Sequence, residues 1–146
     1  MINKELTDFI SIKLKIASRD LIEKDIILSK ILFHLMQNKT FSQDYAFKGG
    51  TCLTKCYLGY YRFSEDMDFT YLNQKDFVGK SKNKLRETMS EKINQLGNLI
   101  EAISKKLDLD FKMEKDNKRY FQFGGSNAFV TFKIWYNSVE LGKETF

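Results

Sequence analysis

The chain has 146 residues, a hydrophobic fraction of 42%, an aromatic fraction of 14% and a formal net charge of +5. This length suffices for one hydrophobic core, so we expect a single domain over residues 1–146, and the aromatic content argues against disorder. The sequence has neither a signal-peptide-like start nor an apolar run of about 20 residues that would span a bilayer, which favours a cytoplasmic protein without a membrane partner.

Two helices are predicted before the first strand. Residues 5–17 place apolar side chains on one side of a helix, and a second helix is predicted to begin near Asp20, an N-cap with Glu23 three residues later. The apolar residues of the second helix recur at helical spacing: Leu28, Ile31, Leu32, Leu35 and Met36. The only histidine, His34, lies on this helix away from the motifs described below, and we do not expect it to act in catalysis.

A short strand and a helix are predicted around the first glycine pair. The strand, Tyr45–Lys48, ends at Gly49-Gly50, and Thr51 is a candidate cap for a helix that reaches about residue 60. The inner face of this helix is expected to contain Leu53, Cys56, Tyr57 and Tyr60. Cys52 and Cys56 are expected to be reduced packing residues, because neither a second cysteine pair nor a nearby histidine completes a zinc site.

The rest of the chain predicts one long helix among strands. After a strand over residues 66–72, apolar residues stay in helical phase from about residue 75 to residue 107, with Gly97 as a candidate break. Further strands are predicted over residues 107–113, 119–123 and 129–136. The element order predicts an α+β domain with a mixed β-sheet of about five strands, N-terminal helices and one long helix.

The segment Gly49-Gly50-Thr51 joins a strand to a helix. Backbone N–H groups at the start of a helix favour a phosphate, and glycine lets the backbone approach a ligand closely. The Thr51 hydroxyl is able either to cap the helix or to donate to phosphate. Taken alone, the segment is better explained as an ordinary turn and helix cap.

Asp66 and Asp68 lie two residues apart in the predicted second strand. Side chains alternate along a strand, so both carboxylates are expected on one face, with Cα atoms about 6.5–7 Å apart. Like charges at this distance favour a cation between them, and Mg²⁺ prefers a few carboxylates together with phosphate oxygens. Taken alone, the pair is better explained as two solvated acids on a strand edge.

The order of the two motifs strengthens the functional interpretation of both. A phosphate-binding turn lies one short helix before a metal-binding pair, and that helix is expected to fold the second strand back beside the first. Arg62 either contacts phosphate or holds the carboxylates through a salt bridge, and the second role is slightly favoured.

Together these residues resemble a known family. Lys48-Gly-Gly-Thr-x-Leu, followed by Tyr57 and then by Arg62-Phe-Ser-Glu-Asp-x-Asp, is similar to the AbiEii-type nucleotidyltransferase toxins of the DNA polymerase β-like superfamily. Glu23-Lys24-Asp25 also resembles the N-terminal helix of this family. The resemblance is best over residues 20–72.

The resemblance implies a site, a reaction and partners. The implied NTP-binding residues are Lys48, Gly49, Gly50, Thr51, Arg62 and Ser64, and Mg²⁺ is held by Asp66 and Asp68. The implied reaction transfers a nucleotide from the NTP to an acceptor, which is tRNA in some members, with release of pyrophosphate. The implied setting is a bacterial toxin–antitoxin or phage abortive-infection system, with a separate antitoxin as partner.

The sequence departs from the family pattern at two points. Lys133 matches the lysine of the family's Lys-Ile-acid strand and is expected to neutralise triphosphate charge, but Trp135 stands on the same predicted strand face where an acid is common. Trp135 either replaces that acid or simply packs in the core. The family also usually continues into a helical C-terminal half, which we expect this chain to lack. The alternative function is therefore a truncated, non-catalytic module that binds a nucleotide or a partner.

Three weaker features have plainer explanations. The net charge permits an anionic partner such as RNA, but a lysine-rich solvated surface explains it equally well. A basic run at the start of the long helix would be able to meet an RNA backbone, but a solvated helix face is favoured: Lys80, Lys82, Lys84 and Arg86. Three aromatic residues would be able to stack on a base, but core packing is the default: Tyr60, Tyr61 and Phe63.

Overall fold

The computed structural model describes residues 2–58, 65–125 and 129–146. Its helices are α1 (Lys4–Leu14), α2 (Arg19–Gln37), α3 (Lys39–Asp44), α4 (Gly49–Leu53) and α5 (Lys82–Leu107), with a π-helical turn over Thr54–Leu58 and a 3₁₀ turn over Gln74–Asp76. Its strands are β1 (Tyr45–Lys48), β2 (Asp68–Tyr71), β3 (Phe121–Gly124), β4 (Phe129–Phe132), β5 (Tyr136–Asn137) and β6 (Glu144–Thr145). The α+β class is confirmed. Within these ranges, every helix is too short or too polar to cross a membrane.

The strands form three separate two-stranded sheets, β1–β2, β3–β4 and β5–β6. The predicted mixed sheet of about five strands is therefore wrong for the described part of the chain. The main cause is the stretch after α5, where residues 107–113 alternate in polarity but form only an isolated bridge between Asp110 and Trp135. Phe111 is buried because it packs on aromatic rings, with Tyr120 at 5.7 Å and Phe132 at 5.9 Å between centroids, and it pairs with no strand. The alternation thus reflects side-chain packing.

The chain divides into two compact units, and each has its own apolar interior. Unit 1 contains Met1–Leu72 and Asn137–Thr145, and unit 2 contains Asn73–Tyr136 together with Phe146. The expectation of a single domain over residues 1–146 stays a prediction.

The interior of unit 1 is built on α2 and α3. The buried apolar residues are Ile22, Ile27, Ile31, Leu35 and Phe41. The Phe41 ring stacks on Tyr45 at 4.9 Å and meets Phe69 edge-on at 5.0 Å, so the helices are joined to the first sheet by aromatic contacts. The predicted start of α2 is wrong by two residues, because Ser18 occupies the N-cap position and Asp20 lies in the first turn.

The interior of unit 2 forms between α5 and the segment that follows it. Gly97 was expected to break the long helix, but α5 runs through it unbroken. A Cβ on Gly97 would overlap Sδ of Met113 and would stand 3.5 Å from Cε1 of Phe132. Glycine at this position lets Met113 pack closely against the helix, and it does not end the helix.

Candidate functional site

The first sheet brings the two sequence motifs together. β1 and β2 pair antiparallel, with Tyr45 opposite Tyr71 at one end and Lys48 opposite Asp68 at the other. This confirms that the second strand folds back beside the first. Aromatic pairs hold the register, since the centroids of Phe47 and Phe69 lie 5.1 Å apart. The start of β2 consequently lies beside the glycine turn that ends β1.

The carboxylate of Asp68 lies against the backbone of Gly49. A Cβ on residue 49 would overlap Oδ2 of Asp68 and would stand 3.1 Å from its Cγ. Gly49 also has a φ of +76°, a conformation that residues with a side chain rarely adopt. Both observations require glycine at this position, so the glycine turn and the second aspartate form one local structure.

Thr51 connects the same helix to the segment that contains the first aspartate. It is the third residue of α4, it is 1% exposed, and its hydroxyl donates a hydrogen bond to the backbone carbonyl of Asp66. Its predicted role as helix cap is wrong, because Lys48 occupies the N-cap position. The hydroxyl proton is committed to Asp66 in this structure, so any phosphate contact of Thr51 would be made by its backbone N–H.

Asp66 is not part of a strand, because β2 begins at Asp68. The strand alternation that predicted both carboxylates on one face therefore does not apply to Asp66. Both aspartates are exposed at the surface, as is Glu65, whose carboxylate lies 3.7 Å from the ammonium of Lys24. Among the described residues no group of three or more His, Cys, Asp or Glu side chains is close enough to hold a metal ion. Asp66 and Asp68 are the ligands that the sequence predicts for this metal.

The predicted inner face of the helix after the glycine turn is wrong. Leu53 is 52% exposed and Tyr57 is 76% exposed, whereas Thr51 and Thr54 are buried. Tyr57 lies in the π-helical turn that follows α4, in which the wider repeat changes the residues that face inward, whereas Leu53 is the last residue of α4 itself. Cys56 is exposed as well. Burial and the neighbouring Cys56 thiol raise the pKa of Cys52.

A buried ion pair anchors the π-helical turn to α2, and the sequence did not reveal it. Nζ of Lys55 lies 2.7 Å from Oδ1 of Asp25 and donates a hydrogen bond to Oγ of Ser29 at 2.8 Å. Both charged side chains are less than 10% exposed. The family resemblance drew attention to Glu23-Lys24-Asp25 in this turn of α2. The sequence around Asp25 contains no pattern that indicates a partner thirty residues later, which is Lys55.

Glu23 forms a second buried network in unit 1. Its carboxylate accepts hydrogen bonds from the Ser138 hydroxyl at 2.5 Å, from the Val139 amide at 2.8 Å and from the Glu140 amide at 3.3 Å. The residue is 1% exposed. These donors satisfy the buried charge, so Glu23 is a structural residue that holds the turn before β6.

Lys133 and Trp135 belong to unit 2, and they are not on a common strand face, because β4 ends at Phe132. Trp135 donates from Nε1 to the carbonyl of Arg119 at 2.9 Å, and its ring lies 4.6 Å from that of Phe146. The ammonium of Lys133 lies 5.7 Å from the centre of the Phe146 ring. These contacts favour the packing explanation for Trp135. The role of Lys133 beside a triphosphate stays a prediction.

The remaining predicted contacts lie outside the described residues. They are the proposed nucleotide contacts Arg62 and Ser64 and the aromatic residues Tyr60, Tyr61 and Phe63. His34 lies in α2, at an apolar groove of about 470 Å³ that also contains Phe33 and Ile10. The expectation that His34 takes no part in catalysis stays a prediction.

Residues 30–141 match a family model described as "Nucleotidyl transferase AbiEii toxin, Type IV TA system". The chain belongs to the AbiEii family of nucleotidyltransferase toxins. The matched range contains the glycine turn, both aspartates and Lys133, whereas Glu23-Lys24-Asp25 precedes it, and the predicted family is confirmed. The curated proteins and the solved structures contain no match to this chain.

Proposed function

We propose that this AbiEii chain is a Mg²⁺-dependent nucleotidyltransferase of a toxin–antitoxin or abortive-infection system. It transfers a nucleotide from an NTP to an acceptor, with tRNA as one candidate, and releases pyrophosphate in the cytoplasm. Its partner is a cognate antitoxin. The observation that carries the proposal is the carboxylate of Asp68 lying against Gly49, because it joins a turn suited to phosphate with an acid suited to a metal.

The phosphate side of the proposed site is the end of β1 and the start of α4. Lys48 is exposed and lies directly opposite Asp68 in the strand register, so its ammonium is available to neutralise phosphate charge beside the metal-binding acid. Gly49 and Gly50 present backbone N–H groups without side chains in the way. Thr51, Arg62 and Ser64 complete the proposed nucleotide contacts, and Lys133 is proposed to neutralise further triphosphate charge.

The metal side of the proposed site is Asp66 and Asp68. Two observations fit a cation here: both residues are exposed, and both are held beside α4, Asp66 through its backbone carbonyl and Asp68 through the contact of its carboxylate with Gly49. Bound Mg²⁺ would supply Lewis-acid stabilisation of the charge on the phosphates. The chain's own residues hold the NTP so that the acceptor oxygen bonds to the α-phosphorus while the bond to pyrophosphate breaks, and the acceptor proton leaves to a carboxylate or to water.

The test is transfer of label from NTPs to tRNA in the presence of Mg²⁺. We expect the wild-type protein to label the RNA and Asp66→Ala and Asp68→Ala to abolish labelling. Glu65→Ala is the matched control, because it removes an exposed acid from the same segment and should keep activity. Labelling that survives in Asp66→Ala would contradict the proposed assignment.

A second candidate function is a non-catalytic module that binds a nucleotide or a partner. The specific observation in its favour is that Trp135, at the position where the family resemblance implies an acid, packs on Phe146 and donates to the Arg119 carbonyl, so this position supplies no carboxylate. This candidate predicts that calorimetry detects NTP binding while no turnover occurs with any RNA supplied. Measured turnover would exclude it.

A further inference from the structure

The buried pair Asp25–Lys55 connects α2 to the helical segment that begins at Gly49. Lys55 lies two residues after the end of α4, inside the π-helical turn Thr54–Leu58. Its ammonium contacts Asp25 at 2.7 Å and the Ser29 hydroxyl at 2.8 Å, and that hydroxyl in turn donates to the Asp25 carbonyl at 2.7 Å. Lys55, Asp25 and Ser29 thus form one hydrogen-bonded network in which the donor and the acceptor of each bond are defined.

We propose that Asp25 and Lys55 are positioning residues for the nucleotide site. Their network sets the place and rotation of the helical segment 49–58, and so keeps Gly49 where the Asp68 carboxylate lies against it. The consequence for nucleotide affinity rests on the proposed function. The placement of Gly49 against Asp68 by this network does not depend on the proposed function.

The type of interaction supports a positioning role. A buried ion pair is a poor source of stability, since an apolar pair of similar volume is often as good or better. Charge-assisted hydrogen bonds are directional, whereas apolar burial is not. An ammonium fixed by two acceptors on α2 therefore specifies where the π-helical turn lies, which a leucine or methionine in its place would not do.

The location of the pair supports the same role. Thr54, the residue before Lys55, donates its amide to the Gly50 carbonyl and its hydroxyl to the same atom at 2.9 Å. The anchor is thereby coupled directly to the glycine turn. π-Helical turns also occur often at functional sites, where they redirect a side chain that regular spacing would point elsewhere.

The test compares single and paired replacements in the full chain. Asp25→Asn and Lys55→Met each leave one buried polar partner behind, and we expect both to lower the melting temperature. The pair Asp25→Leu with Lys55→Met removes both charges, and we expect it to melt close to wild type. We nevertheless expect this pair to shift the Gly49 amide resonance, to speed hydrogen exchange of the Thr54 amide by about tenfold or more and to weaken NTP binding by about tenfold.

The controls separate position from stability. Lys55→Arg keeps a charged donor and should restore exchange and affinity, and Lys105→Met removes an exposed lysine paired with Glu101 and should change neither. A paired variant with wild-type exchange, resonance and affinity would overturn the proposal. If the paired variant does not fold, the same measurements are made on Ser29→Ala, which removes one acceptor from Lys55. Wild-type exchange, resonance and affinity in that variant would overturn the proposal.

The exchange and resonance measurements require no nucleotide, so they remain decisive if the proposed function is wrong. Wild-type protein that binds no NTP would refute the proposed function alone. Unchanged Gly49 and Thr54 signals in the variants would refute the positioning role alone.

Discussion

The carboxylate of Asp68 occupies the space that a side chain on Gly49 would need. We expect Gly49→Ala to displace the carboxylate, and to cost about 1–2 kcal/mol for the left-handed backbone and about 1–3 kcal/mol for the overlap. NTP binding and nucleotide transfer should be lost with it. Chemical denaturation measures the stability, and calorimetry measures the binding.

Gly79→Ala is the matched control for this substitution. Gly79 has nearly the same φ, +73°, but a Cβ there would meet no atom within 4 Å. It should therefore lose only the backbone contribution, about 1–2 kcal/mol, and keep NTP binding. Equal effects of the two substitutions would show that overlap with Asp68 is unimportant.

We expect two substitutions of Thr51 to differ in their effect on stability, because only one of them keeps the hydroxyl. Thr51→Val keeps the shape but removes the buried donor to the Asp66 carbonyl, and we expect it to lower the free energy of unfolding by about 1–3 kcal/mol. Thr51→Ser keeps the donor and should cost less. Urea denaturation of both variants checks this prediction, which fails if the serine variant is the less stable one.

We expect substitutions at Gly97 and Met113 to have coupled effects on stability. Gly97→Ala gains about 1 kcal/mol of helix propensity, but the new methyl overlaps Sδ of Met113, and overpacking typically costs about 1–3 kcal/mol. We expect a net loss of stability for Gly97→Ala alone and a smaller loss in the Met113→Ala background, where the methyl has room. A double-mutant cycle measures the coupling, and strictly additive effects would contradict the contact.

We expect Asp110 to make the stability of unit 2 sensitive to acid. Burial opposes ionisation of this carboxyl, but hydrogen bonds from Arg119 at 2.7 Å and Tyr120 at 2.9 Å lower its pKa below the ordinary value. The folded pKa is below the unfolded one, so this stabilisation is present above about pH 4 and is lost as the pH falls through the folded pKa.

The measurement for Asp110 is the melting temperature as a function of pH. Asp110→Asn should melt below wild type at pH 7 and should lose less stability than wild type between about pH 5 and about pH 2. Asp116→Asn, at an exposed turn, is the control and should follow the wild-type curve. Equal acid sensitivity of Asp110→Asn and wild type would contradict the prediction.

Local patterns in the sequence predicted much of the secondary structure. The first strand was predicted with its observed bounds, and the turn–helix–strand order correctly indicated that Asp68 returns beside β1. Antiparallel pairing then places Lys48 opposite Asp68, because the register follows from the aromatic pairs further along the strands.

The failures have physical causes that no local pattern contains. A π-helical turn changed which residues after Leu53 face inward, and aromatic packing of Phe111 produced the same alternation of polarity as a strand. The partners of Asp25 and Glu23 lie thirty and more than a hundred residues away in the chain. The sequence near these two acids therefore does not indicate that they are buried. The paired aspartates were recognised by spacing, but the beginning of β2 at Asp68 removes the strand geometry assumed for Asp66.

Glu23 also determines when unit 1 is completed during protein synthesis. Its hydrogen-bond donors come 115 to 117 positions later in the chain, after all of the residues that form the interior of unit 2. At about 5–20 residues per second, a ribosome needs about 6 to 23 seconds to add the intervening segment. Through that interval the Glu23 carboxylate is hydrated and α2 lacks one of its anchors. The nascent chain therefore acquires the finished form of the unit that contains Gly49 and Asp68 only after residues 138–140 have been added.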